Sequence, residues 1–121
     1  MYKKKILICI NNNLGKKVYQ HLNTSKKYEI DVFSIKKIKG IKKYDIVKNK
    51  TIFSTKLKLK KKLYDFIILV YWPYILPKKD FVFFRNSINF HPAFLPYGRG
   101  HYPHIHALNN RFKYGVTLHQ I

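Results

Sequence analysis

The run Asp65-Phe66-Ile67-Ile68-Leu69-Val70-Tyr71 constrains this chain more than any other segment. Five consecutive residues, Phe66 to Val70, are apolar on both faces of an extended chain. That pattern belongs to a central strand of a parallel sheet, covered by helices above and below. Pro73 and Pro77 end it. Shorter signals surround it. Lys5 to Ile10 is an apolar run stopped by Asn11-Asn12-Asn13, which predicts a buried strand and a turn. Apolar residues at 14, 18, 19 and 22 have helical spacing. Tyr28 to Ile35 alternates and predicts a second strand. Residues 36–62 are ambiguous, because Lys56-Leu57-Lys58-Leu59-Lys60 alternates within a lysine cluster that also suits a helix. Ile75 to Phe84 predicts a short helix, and Ser87 to Phe90 and Gly115 to Ile121 predict further strands. The alternation implies an α/β, Rossmann-like fold: an open, mostly parallel sheet with helices on both faces. Ligands of such sheets bind beyond the carboxyl ends of the strands.

At 121 residues the chain is expected to form one domain. An apolar fraction of 46% argues against disorder. The longest apolar run, Phe66 to Pro77, is too short to span a bilayer, and the N-terminus lacks the apolar stretch of a signal peptide. A soluble, cytoplasmic protein with no membrane partner is therefore expected. The single cysteine, Cys9, excludes an internal disulfide and a cysteine-rich zinc site. The formal net charge is +20, which ordinarily points to nucleic acid. Yet 22 of the 25 basic residues are lysine and only 3 are arginine, the better residue for planar phosphate recognition. Residues with AT-rich codons are abundant throughout, so base composition is the simpler account. Of the 22 lysines, 19 lie in residues 3–62, whereas five of the six histidines follow residue 90.

The chemistry therefore concentrates in the second half. In Ser87-Ile88-Asn89-Phe90-His91-Pro92, Asn89 and His91 stand two apart at a strand end. On a strand their side chains point the same way, about 7 Å apart along the backbone. An amide that can donate to an oxyanion, beside an imidazole that can move a proton near neutral pH, suits acyl transfer. No serine or cysteine nucleophile has a comparable setting, so the acceptor would attack directly. The simplest competing account is a strand-end asparagine and a buried, hydrogen-bonded histidine.

Three ordered blocks resemble the formyltetrahydrofolate-dependent formyltransferases. They are Asn89-Phe90-His91-Pro92 with Leu95-Pro96, Arg99-Gly100 and Pro103; Asp65 to Pro77; and Gly115-Val116-Thr117-Leu118-His119. The resemblance is strong over residues 63–121 and weak over 1–62. It implies that Asn89 stabilises the oxyanion and His91 transfers the proton. It further implies that Trp72, Pro73, Tyr74, Ile75 and Leu76 hold the pterin of 10-formyltetrahydrofolate, and that Tyr97, Arg99 and Gly100 shape the acceptor site. The expected acceptor is a small primary amine, an amino sugar on a nucleotide, with methionyl-tRNA as the rival and a homodimer allowed. No metal is expected.

The family's catalytic aspartate would fall a few residues beyond Ile121, and no residue here matches it. Residues 1–121 are therefore expected to be the family's catalytic domain, truncated at its C-terminus, with weak activity or none by themselves. A basic nucleic-acid-binding domain or an inactive remnant is the reading from another class. His101, His104 and His106 lack a strong metal-ligand spacing and have no carboxylate nearby.

Overall fold

The computed structural model describes residues 2–91 and 117–120. The side chains of His91 and of residues 117–120 lie outside that description. The elements follow in the order β1 (Lys4–Ile10), α1 (Asn13–Asn23), β2 (Tyr28–Ser34), β3 (Asp45–Ile46), α2 (Lys50–Lys60), β4 (Tyr64–Val70), a 3-10 helix (Lys78–Phe83), β5 (Phe84–His91) and β6 (Thr117–Gln120). They form one six-stranded sheet of order β3-β2-β1-β4-β5-β6. The first five strands are parallel, and β6 runs antiparallel to β5. This is the open, mostly parallel α/β sheet that the sequence implies.

The pleat sorts the central strands into two cores. Leu7 and Cys9 of β1, Phe33 of β2, and Ile67 and Leu69 of β4 pack with Phe53 and Leu57 of α2. Ile6, Ile8 and Ile10, Val32, Ile68 and Val70 pack on the other face, where Leu14, Val18 and Leu22 of α1 cover them. Helices thus lie on both faces, and β1 and β4 must be apolar throughout because neither face meets water.

Local chemistry fixes both helix starts. Asn12 Oδ1 accepts the Gly15 N–H at 3.2 Å and Asn49 Oδ1 accepts the Ile52 N–H at 2.8 Å, each satisfying an otherwise unpaired first-turn donor. Gly15 is required for close approach, because a Cβ there would stand 2.5 Å from Ile10 Cβ. α2 ends on Lys61, in the left-handed conformation common past a helix C-terminus. The short helix expected over 75–84 is a 3-10 helix confined to Lys78–Phe83. Pro77, extended at φ −61° and ψ 139°, delays its start.

Candidate functional site

β1, β4 and β5 finish side by side. In register, Cys9 stands beside Leu69 and Leu69 beside Asn89. Asn11 and Tyr71 therefore leave the sheet as neighbours. Asn11 Nδ2 donates to the Tyr71 carbonyl oxygen at 3.1 Å. Tyr71 itself has φ +53°, in the left-handed region that a bulky residue seldom occupies.

The residues after Tyr71 fold back towards α2. The Trp72 ring packs against the α2-side core, 6.1 Å from the Phe53 ring, and Tyr74 meets its edge at 5.7 Å and 84°. The Tyr74 hydroxyl donates to the Lys48 carbonyl. Leu76 is buried in the same core, whereas Ile75 is 80% exposed and Pro73 is half-buried. The Trp72 indole N–H is buried and has no hydrogen-bond partner among the described residues. Below this segment, the buried Asp80 accepts a 2.7 Å hydrogen bond from the Ser54 hydroxyl, joining the 3-10 helix to α2.

Asn89 is half-buried near the carboxyl end of β5. Its register with Leu69 puts it on the α2 side of the sheet, the side to which Trp72 and Leu76 return. His91 closes β5 and pairs in register with Thr117, as Asn89 pairs with His119. The expectation that the Asn89 and His91 side chains share a direction lies outside the described residues at His91. Tyr97, Arg99 and Gly100, and the histidines at 101, 104 and 106, lie outside them as well. Among the described residues, no three metal-ligating side chains cluster, and no helix is long and apolar enough to cross a membrane.

Two features of this edge escape a reading of the sequence. Asn11 reads only as a turn residue, and nothing in Tyr71 announces a left-handed backbone. Burial pushes the Cys9 thiol well up, two residues before Asn11 on β1, and the other displaced groups among the described residues lie away from this edge. A hydrogen bond to the Asp65 carboxylate holds the Tyr2 hydroxyl's pKa up, and the Lys5 backbone N–H and Tyr2 hydroxyl hold the Asp65 pKa down. An apolar groove of about 410 Å³ lies on the opposite face of the sheet, lined by Val18, Leu22, Ile68, Ile88 and Phe90 under Lys17 and His21. It faces away from Asn89.

No protein-family model matches the sequence, and no curated protein matches it. Solved structures do match in fold. A 4-N formyltransferase from Francisella tularensis superposes with a TM-score of 0.74 at 22% identity, over 98% of this chain and 50% of that one. A formyltetrahydrofolate deformylase from Pseudomonas syringae gives 0.76 at 21% identity, over 99% and 46%. A sugar N-formyltransferase from a Shewanella species gives 0.65 at 17%, over 99% and 52%. The chain therefore spans about half the length of the structures it matches, and it shares their fold.

Proposed function

We propose that the chain carries formyl-transfer chemistry, moving the formyl group of 10-formyltetrahydrofolate to a primary amine. The observation that carries this reading is the Asn89-x-His91 end of β5, set against the end of β4 in a fold that solved formyl-handling enzymes share. The residues after β4 suit a pterin. Trp72 and Tyr74 offer flat apolar walls, set edge to face at 5.7 Å. Trp72, Pro73, Tyr74, Ile75 and Leu76 would hold that ring, and the bound cosubstrate supplies the activated formyl carbon.

The chain's own residues then act in sequence. The acceptor amine adds to the formyl carbon, and the Asn89 amide N–H stabilises the oxyanion that develops. His91 takes the proton released by the amine and returns it to the departing nitrogen as the carbon–nitrogen bond breaks. Tyr97, Arg99 and Gly100 shape the acceptor side. We assign an amino sugar on a nucleotide as the acceptor, by likeness to the sugar N-formyltransferase fold. A methionyl-tRNA acceptor draws its support from the +20 charge. The deformylase neighbour supports a second reading, in which water takes the formyl group.

The test is a radiolabelled formyl-transfer assay offering the protein a nucleotide-linked amino sugar, methionyl-tRNA, and no amine. Weak labelling of the sugar, above a protein-free control, is the expected result, since no residue of 1–121 matches the family's catalytic aspartate. Asn89→Ala and His91→Ala should each reduce it by about a hundredfold or more. Full transfer in either variant overturns the assignment, and formate released without an amine favours the hydrolytic reading.

A further inference from the structure

Two residues other than glycine have positive φ among those described, Lys61 and Tyr71. Lys61 follows a helix, where the left-handed conformation is routine. Tyr71 follows a strand, where it is not, and a bulky residue there carries backbone strain that its surroundings must hold in place. A side chain from another strand end supplies that hold, since Asn11 Nδ2 reaches the Tyr71 carbonyl at 3.1 Å across 60 residues of sequence.

The direction of the chain after β4 depends on this one turn. With Tyr71 left-handed, Trp72 enters the slot beside Phe53, and Tyr74 comes within reach of the Lys48 carbonyl. Relaxation of Tyr71 to negative φ would re-aim everything that follows. We infer that Asn11 is a positioning residue, whose amide holds Tyr71 left-handed and so sets Trp72–Leu76 in the geometry that receives the formyl donor's ring. This rests on the folate reading above.

The pairing predicts its own rescue. Glycine occupies the left-handed region at no steric cost, so Tyr71→Gly removes the need for the clamp. The full chain, Asn11→Ala, and the double variant N11A/Y71G are titrated with 5-formyltetrahydrofolate. The emission of Trp72, the single tryptophan, reports on the segment itself, and thermal melts are recorded alongside. Asn11→Ala should weaken binding by about tenfold, the loss of one well-placed hydrogen bond, and shift Trp72 emission to the red. N11A/Y71G should recover both. A merely structural Asn11 would lower the melting temperature in both variants with no recovery of binding, and that result overturns the inference. So does unchanged affinity and emission in Asn11→Ala. Should Asn11→Ala fail to fold, N11A/Y71G is judged against Tyr71→Gly alone, whose affinity and emission it must match. Should the unsubstituted chain fail to bind the folate, the folate reading falls. Trp72 emission then judges the clamp, with recovery by Tyr71→Gly supporting it and its absence overturning it.

Discussion

The Tyr64 hydroxyl donates a 2.6 Å hydrogen bond to Asp31 Oδ2, linking β4 to β2 across the intervening β1. Lys62 Nζ reaches the same oxygen at 2.9 Å and Glu29 at 3.0 Å. Burial would raise the Asp31 pKa, but these donors outweigh it and hold the carboxyl below the usual carboxylate range. Burial first, then the bond to Asp31, pushes the Tyr64 hydroxyl well above its ordinary value. Burial would lower the Lys62 pKa, yet its two carboxylate partners leave it raised.

The signs define a pH profile. Asp31 contributes stability above its unfolded pKa of about 3.9, and loses it as pH falls through the lower folded value. Tyr64 and Lys62 contribute below about 10 and lose it as pH rises further. Urea midpoints measured against pH should fall towards acid as Asp31 takes up its proton, and fall towards alkali as Tyr64 and Lys62 lose theirs. Asp31→Asn should reduce the acid loss, and Tyr64→Phe should cost about 1–3 kcal/mol at neutral pH.

Gly15→Ala tests how closely α1 is pressed onto β1. Its new methyl would meet Ile10 Cβ at 2.5 Å and Ile10 Cα at 3.2 Å, and the latter is backbone that cannot turn aside. Alanine's better helix propensity is worth about 1 kcal/mol, less than the overpacking cost of about 1–3 kcal/mol. The variant should melt lower than the parent, the reverse of the usual result for glycine to alanine in a helix.

Ser54→Ala removes the hydroxyl donor from Asp80, a carboxylate only 3% exposed. The expected cost is about 1–3 kcal/mol by denaturant titration. Ser54→Thr, which keeps the hydroxyl, should recover part of it. A loss equal in both would place the effect in packing and not in the hydrogen bond.

All five acidic residues are engaged. Asp45 pairs with Lys60 and Lys56, Glu29 and Asp31 with Lys62, Asp65 with Arg85, and Asp80 with Ser54. Most lysines therefore face solvent without a carboxylate partner, and salt dependence separates the two acceptors. A diphosphate-linked sugar should give a slope of log KM against log salt of about 2 or less, and an RNA with six or more phosphate contacts a slope above about 5. The shallow slope is expected here.

Much of the fold is legible from the sequence because burial on both faces leaves a plain mark. Phe66 to Val70 and Ile6 to Ile10 could hardly be anything but inner strands. The 36–62 region is not legible, for two physical reasons. β3 is two residues long, too short to show alternation. In α2, Leu57 is buried but Leu59 is 68% exposed, so an apolar residue on the wet side imitates a strand's period. Its signal was the Asn49 cap, which a lysine-rich context obscures. At the proposed site, Asn89 and His91 stand out in the sequence by chemistry and spacing. Asn11 does not, because its role is a contact with a backbone carbonyl 60 residues away, which leaves no trace in residue type.

β1 is first in sequence and lies between β2 and β4 in the sheet. Its register with β4 pairs Ile10 with Val70. During synthesis β1 can therefore settle against β2 early, but its other edge stays open until residue 70 has left the ribosome. One edge of the most apolar strand in the early chain waits through the making of some sixty residues for its partner. Such distant pairing slows folding and leaves a sticky template exposed meanwhile. The lysines at 3, 4 and 5, at the start of that strand, give the nascent chain a charge that resists self-association while it waits.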